Sequence, residues 1–142
     1  MELRQIEHGS TDYLKMVSLR TEILRKPLGL TYTQAQLDAE ISDILIGAFE
    51  NEEIIGCCIL TPKENNQLQL RQMAVASTVQ RKGIGAKILS FAEEICKQKK
   101  NNSIILHARE TAVEFYKKSG YQVFGEMYYE VSIPHFNMEK QI

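Results

Sequence analysis

Residues 80–86, Q-R-K-G-I-G-A, place two glycines and two cations directly before a segment with a helical apolar pattern. Gly83 and Gly85 have no Cβ atom, so the backbone amides beside them can approach a ligand closely. A helix that begins there presents unpaired N–H groups and the positive end of its dipole. We therefore predict a phosphate-binding loop over residues 81–86, with the charges of Arg81 and Lys82 at its rim. A glycine turn that binds nothing is the alternative.

Two familiar phosphate-binding patterns can be compared with this loop. The P-loop sequence G-x-x-x-x-G-K-[ST] does not occur in the chain, which argues against an NTPase. The dinucleotide-binding fingerprint needs a small residue where Ile88 stands, and no convincing acidic residue ends the next apolar run. A nicotinamide-binding role is therefore not expected.

The composition bounds the class of protein. The 142 residues carry 17 Lys and Arg against 18 Asp and Glu, a net charge of −1, and 44% of them are hydrophobic. This length predicts a single domain over residues 1–142 with a core of its own. The balanced charge argues against nucleic acid or an anionic membrane surface as a partner, so that anion binding would have to be local.

The three cysteines, Cys57, Cys58 and Cys96, are odd in number and lack the spacing of a metal site. We expect no metal, reduced thiols and a cytoplasmic location. The first residues do not resemble a secretory leader, and no apolar window reaches the length of a membrane span. Because Cys57 and Cys58 are adjacent, they must point to opposite faces of their strand, and one of them is expected in the core.

The elements that would position the glycine loop follow from apolar spacing. A short strand opens the chain, and Ser10, Thr11 or Asp12 can cap a helix that ends before about residue 28. A second short helix is expected after Thr31 or Thr33. Two β-rich runs surround the polar break at residues 50–53, which predicts an antiparallel hairpin closed by Pro62 and the residues after it.

The segment around the loop predicts a β-α-β unit. The strand before the loop changes the phase of its alternation near Arg71 and Gln72, as a β-bulge would; plain burial of both faces is the alternative. The loop is followed by an amphipathic helix and then by the apolar run 103–108, so the two flanking strands should be parallel. A short helix ending at Gly120 and two more strands complete the chain.

Two motifs in this order are similar to the signatures of one family. M-A-V-A-S-T-V-Q-R-K-G-I-G-A-K-I-L, residues 73–89, resembles the acetyl-CoA signature of the GNAT superfamily of N-acetyltransferases, Q/R-x-x-G-x-G/A after an apolar strand, with Gln80, Gly83 and Gly85. E-T-A-V-E-F-Y-K-K-S-G-Y-Q-V-F-G-E, residues 110–126, resembles its second signature, A-x-x-F-Y-x-x-x-G-F/Y. The chain is identified as a member of bacterial, single-domain type, and the resemblance covers about residues 40–138.

The resemblance implies an α/β (α+β) fold of three layers, α/β/α. Its central sheet is mixed and mostly antiparallel, with a splayed parallel strand pair at the CoA site. It also implies acetyl-CoA as cofactor and CoA as product, with the pyrophosphate on the amides of the glycine loop and the pantetheine arm along the preceding strand. The cofactor-binding residues so implied are Met73, Ala74, Val75, Gln80, Arg81, Lys82, Gly83, Ile84, Gly85, Ala86 and Arg109. Arg109 stands where many relatives carry Asn, and it could instead pair with a phosphate or with a substrate carboxylate.

The chemistry that the resemblance implies is direct attack of a neutral amine on the thioester in a ternary complex. A backbone amide near Val75 would stabilise the developing negative charge. Tyr116 matches the family tyrosine that protonates the departing thiolate; packing beside Phe115 is its alternative role. The acceptor amine would meet a wall that includes Arg20, Glu22, Arg25, Tyr32, His107 and His135, unless these charges are merely solvated and the histidines structural.

Three functions remain open from the sequence. The first is an acetyl-CoA-dependent N-acetyltransferase, an acyltransferase that acts on a primary amine and forms a homodimer. The second is a non-catalytic sensor or interaction module that binds acyl-CoA. The third is a structural protein of mixed α/β type with no CoA affinity. The motifs specify neither the acceptor nor the general base nor the length of the acyl chain.

Overall fold

The computed structural model describes residues 1–80 and 82–142. The strands are β1 (Glu2–Ile6), β2 (Ile44–Glu50), β3 (Glu53–Lys63), β4 (Gln67–Val75), β5 (Ser103–Arg109), β6 (Gln122–Glu130) and β7 (Ile133–Gln141). The α-helices are α1 (Thr11–Arg20), α2 (Gln34–Asp38), α3 (Ile84–Gln98) and α4 (Val113–Lys118). The described strands form one sheet in the order β1-β2-β3-β4-β5-β7-β6.

Every neighbouring pair in this sheet is antiparallel except β4 and β5, which are parallel. That pair is matched only from Gln67 with Ser103 to Leu70 with Leu106. Both strands run on, to Val75 and Arg109, so the sheet opens between them. The predicted mixed sheet with a splayed parallel pair is confirmed.

The β-bulge predicted in β4 is also confirmed. Cys57 pairs with Ala74, whereas Ile59 pairs with Arg71, so that Gln72 and Met73 together face Cys58. Gln72 has a φ of 56°, a left-handed conformation that is rare for a residue other than glycine. The extra residue turns the end of β4 away from the regular ladder, toward the splay.

The β2–β3 hairpin forms around a two-residue turn in which Asn51 and Glu52 both have positive φ, as in a type I′ turn. Pro62 and the residues after it close the hairpin as predicted, since β3 ends at Lys63. The last match of β2 with β3 is Ile44 with Leu60. Pro62 lies beyond this last match, so its missing N–H interrupts no hydrogen bond between β2 and β3.

Helices cover both faces of the sheet, as the three-layer prediction requires. On one face, α3 packs through Ile88, Leu89 and Ala92 in a cluster that includes Cys58. On the other face, Tyr13 and Met16 of α1 pack in a second cluster that includes Cys57. The sequence predicted that one of the adjacent cysteines is in the core, and the structure places both of them there. Both are fully buried because each face of β3 carries a helix.

The first helix begins where it was predicted, with the Ser10 hydroxyl accepting a hydrogen bond from the Tyr13 amide at 3.2 Å. After α1 the chain continues as a π-helical segment, Thr21–Arg25, and a 3₁₀ turn, Lys26–Leu28. Gly29, with a φ of 70°, ends it. Thr33 caps α2 in a capping box with Gln36. None of the described helices combines the length and the apolar character needed to cross a bilayer.

Candidate functional site

The splay between β4 and β5 opens into a cavity of about 1320 Å³. Residues from both faces of the sheet line it. The glycine loop and α4 contribute from the face that α3 covers, and the π-helical segment contributes from the face that α1 covers. A ligand in this cavity can therefore contact residues from both faces of the sheet, at the point where β4 and β5 separate.

The glycine loop forms the first wall of the cavity. Gly83 has a φ of 78°, a left-handed conformation that suits glycine, and α3 begins at the next residue. The first helical hydrogen bond returns from the Lys87 amide to the Gly83 carbonyl at 3.2 Å. The amides of Ile84, Gly85 and Ala86 therefore have no partner within the helix and are available to an anion.

The predicted loop residues are placed as follows. Gln80, Gly83, Ile84, Gly85 and Ala86 all line the cavity. The Gln80 side-chain amide donates to the Val75 carbonyl at 3.0 Å, which ties the loop to the end of β4. Lys82 is exposed and is not part of the lining. Arg81 lies outside the described residues.

The end of β4 forms the floor of the cavity, with Met73, Ala74 and Val75 in its lining. The bulge leaves the Gln72 carbonyl without a regular strand partner, and the Cys57 thiol donates to it across 3.6 Å. Burial raises the pKa of this thiol to about 12, so that it keeps its proton for that contact.

Tyr116 lies on the same side as the glycine loop and lines the cavity while only 6% of it is exposed. Its ring packs edge-on against Phe115, with centroids 5.0 Å apart, and against Tyr121 at 5.8 Å. Burial raises the pKa of its hydroxyl well above the usual value, with a smaller contribution from Cys58. The hydroxyl therefore holds its proton across the ordinary pH range and can act only as a donor of it.

Arg25 is a cation on the opposite wall of the cavity, at the end of the π-helical segment. Its guanidinium lies over the ring of Tyr32, 4.6 Å from the centroid. The Tyr32 hydroxyl donates to the Gln72 side chain at 2.7 Å. Gln72 also lines the cavity, so the bulge of β4 and this wall are joined by one hydrogen bond.

Three of the residues predicted for the acceptor wall do not line the cavity. Arg20 is completely buried and makes a paired hydrogen bond to Glu40, at 2.8 and 2.7 Å. The Tyr13 hydroxyl donates to the same carboxylate at 2.6 Å. Glu22 is exposed and forms an ion pair with Lys26 at 3.5 Å. Arg20, Glu22 and Tyr32 are not among the residues that line the cavity.

A group of polar side chains from β5, β6 and β7 forms the third wall. His107, Glu130 and His135 all line the cavity. The Glu130 carboxylate lies 3.5 Å from Nδ1 of His107 and 3.4 Å from Nε2 of His135. Nδ1 of His135 faces the Ile133 carbonyl at 2.8 Å, which fixes the orientation of that ring. Arg109 lines the cavity at the end of β5.

Gln72 and Glu130 are cavity residues that the sequence did not indicate. Gln72 could have been found, because the phase change that predicts the bulge falls on it. Glu130 could not, since its place depends on the register that sets Tyr128 opposite His135 across a three-residue irregularity in β6. No local pattern encodes that register.

Comparison with sequence families gives one match over most of the chain. A family model described as an acetyltransferase (GNAT) domain matches residues 26–142. The protein YyaT of Bacillus subtilis, itself uncharacterized, is 36% identical over 74 residues, which cover 52% of this chain and 50% of that protein. The chain spans about half the length of the curated relatives that it matches.

Comparison of folds gives neighbours of the same architecture. The crystal structure of an aminoglycoside 6′-N-acetyltransferase complexed with coenzyme A superposes with a TM-score of 0.83 at 15% identity, covering 99% of this chain and 97% of that one. A GNAT family acetyltransferase from Elizabethkingia anophelis, with acetyl-CoA bound, superposes with a TM-score of 0.76 at 20% identity, covering 99% and 97%. At these identities the likeness establishes the fold.

Proposed function

Because this chain belongs to the GNAT acetyltransferase domain family, we propose that it is an N-acetyltransferase that uses acetyl-CoA. The acetyl group moves to a primary amine by direct attack while both substrates are bound. The observation that carries this proposal is the cavity in the splay between β4 and β5. It connects a glycine loop at a helix N-terminus with a separate polar wall on the other face of the sheet.

The residues around the glycine loop fit the pyrophosphate of CoA. A Cβ atom built on Gly83 would meet no described atom within 4 Å, so the space beside this amide is open to a ligand. The free amides of Ile84, Gly85 and Ala86 would hold the phosphates, with Lys82 and Arg81 supplying charge. The backbone of Met73, Ala74 and Val75 would hold the pantetheine arm, and Arg109 would contact the cofactor from β5. Two fold neighbours hold CoA or acetyl-CoA.

The chain's own residues then account for the transfer. Bound acetyl-CoA supplies a thioester; the amine nitrogen forms a bond to its carbonyl carbon and the carbon–sulfur bond breaks. The Val75 amide donates a hydrogen bond to the oxygen on which charge develops. Tyr116, which lines the cavity and stays protonated because burial raises its pKa, gives its proton to the departing sulfur. His107 and His135, both on the cavity, are the groups able to take the proton of the incoming ammonium.

The experiment is a calorimetric titration with acetyl-CoA, followed by a screen of primary amines with detection of released thiol. Gly83→Glu should abolish binding, because it places a carboxylate beside the pyrophosphate. Gly83→Gln is the matched control, since it imposes the same positive-φ strain of about 1–2 kcal/mol without the charge and should bind better than the Glu variant.

The two measurements separate three outcomes. Binding with thiol release supports the transferase. Tight binding with no release for any amine would favour the non-catalytic binding module. No binding would remove the cofactor and the proposal with it.

A homodimer remains our prediction, supported by the exposed apolar side chains of the edge strand β6. A reducing cytoplasm also remains our prediction, supported by three free, buried cysteines.

A further inference from the structure

Arg25 lies on the face of the sheet opposite the glycine loop. Its neighbours Ile23 and Leu24 pack against the cluster beneath α1, whereas the loop leads into α3 on the other face. Arg25 nevertheless lines the same cavity, which passes through the splay. It is therefore placed to meet the acceptor rather than the phosphates that the glycine loop would hold.

The charge of Arg25 has no counterpart in the described part of the chain. No described carboxylate forms an ion pair with it, and its Nε is buried without a hydrogen-bond partner. Arg20, which lies over the same Tyr32 ring, contrasts with it because Glu40 pairs its guanidinium at 2.7 Å. A partly buried cation without a counter-charge is unfavourable unless a ligand supplies one.

The Arg25 guanidinium is also held in a defined orientation. In a π-helical segment, residues five apart lie on the same side, so Arg20 and Arg25 both face Tyr32, at 4.5 and 4.6 Å from its centroid. The Tyr32 hydroxyl is fixed in turn by Gln72 at 2.7 Å. A planar fork of donors held in this way is suited to bidentate binding of a carboxylate.

The third wall of the cavity carries a carboxylate beside the cation Arg109. The Glu130 carboxylate, between His107 and His135, presents negative charge and hydrogen-bond acceptors to the space that Arg25 faces. An acceptor that carries both an ammonium and a carboxylate would match the two walls. A simple alkylamine would leave Arg25 unpaired.

We propose that the acceptor is a primary amine that also carries a carboxylate, as an amino acid does, and that Arg25 binds this carboxylate. The inference rests on the proposed acetyltransferase function and narrows its substrate class. The amine is directed to the wall formed by His107, Glu130 and His135, where its proton can be removed.

The test compares amino acids with the amines that lack only their carboxylate, such as lysine with cadaverine and phenylalanine with phenethylamine. The wild-type protein should prefer the carboxylated member of at least one pair by about tenfold or more in kcat/KM. Arg25→Met should reduce that kcat/KM by about 10- to 100-fold, mainly through KM, as expected for the loss of hydrogen bonds between charged groups. Turnover of the matching amine should change by less than about twofold.

Two further variants control for charge and for folding. Lys26→Met removes a neighbouring charge that is exposed and does not line the cavity, so it should leave the preference intact. Arg25→Lys should restore part of the preference, since it keeps the charge but loses the fork. If amines without a carboxylate are used equally well and Arg25→Met changes nothing, this inference is wrong while the transferase stands. If acetyl-CoA binds but neither these pairs nor any other primary amine of the screen releases thiol, the transferase proposal itself fails.

Discussion

At the scale of single residues, Tyr116 carries the most specific chemical expectation. Tyr116→Phe removes one hydroxyl and keeps the edge-on ring contacts with Phe115 and Tyr121. If the hydroxyl protonates the leaving sulfur, kcat should fall by about 100-fold or more, while the calorimetric Kd for acetyl-CoA stays the same. Equal losses in Kd and kcat would indicate a packing role instead.

The pH profile gives a second measure of the same residue. An acid that must be protonated loses activity only as pH rises through its pKa, and burial places the pKa of Tyr116 above its ordinary value of 10. We therefore expect Tyr116 to stay protonated up to pH 10. Any fall in kcat/KM of the wild type below that pH should also occur in Tyr116→Phe. The rise from low pH should persist in the variant, since it reflects loss of a proton from the amine or its base.

The sequence indicated these residues unequally. Gly83, Gly85 and Tyr116 belong to short motifs whose spacing along the chain also determines the local backbone conformation. Their positions on one cavity could therefore be anticipated. Arg20 could not be assigned in this way. Its partner Glu40 is twenty positions away, and no spacing distinguishes an arginine that lines a site from one that is buried against a distant carboxylate.

At the scale of elements, the packing of α3 against β3 can be tested at Gly56. A Cβ atom on Gly56 would lie 2.5 Å from Cδ1 of Ile88, at the far end of a flexible side chain. Gly56→Ala should therefore cost about 1–3 kcal/mol in the free energy of unfolding, by overpacking. Ile88→Val removes the clashing atom and should alone cost about 0.5–1.5 kcal/mol.

The double variant should be more stable than the sum of the two losses predicts, by at least about 0.5 kcal/mol in urea unfolding. Strict additivity would mean that the cost of Gly56→Ala does not come from its contact with Cδ1 of Ile88.

The spacing of apolar residues predicted most of these elements. Each element buries one face, so its apolar residues recur at the period of a helix or of a strand. It failed where the local geometry departs from that period. The π-helical segment Thr21–Arg25 has a longer repeat than an α-helix. A reading based on 3.6 residues per turn cannot bring Arg20 and Arg25 over the same ring.

At the scale of the whole molecule, the buried pair of Arg20 and Glu40 links stability to pH. Burial raises the pKa of Glu40, but the hydrogen bonds from Arg20 and Tyr13 outweigh it and leave the pKa below 4.5. The resulting stabilisation is complete above pH of about 4.5 and is lost as pH falls through the lowered pKa. Glu40→Gln should cost about 3–5 kcal/mol at pH 7, because it leaves the Arg20 charge uncompensated in the core.

The measurement is the free energy of unfolding by urea at pH 7 and at steps down to pH 3. The Glu40→Gln variant should lose less stability over this range than the wild type does. Glu64→Gln, in an exposed turn, is the matched control and should stay within about 0.5 kcal/mol of the wild type. Identical acid sensitivity in the wild type and in Glu40→Gln would contradict the assignment.

The adjacent thiols of Cys57 and Cys58 give the molecule a reporter in each layer of its core. Cys57 lies beneath α1 and Cys58 beneath α3, and both are shielded from solvent. A thiol reagent can reach either sulfur only after the helix above it has moved away. The rate of modification at Cys57 therefore follows the detachment of α1, and that at Cys58 follows the detachment of α3. Two adjacent residues therefore report separately on the two layers of the core.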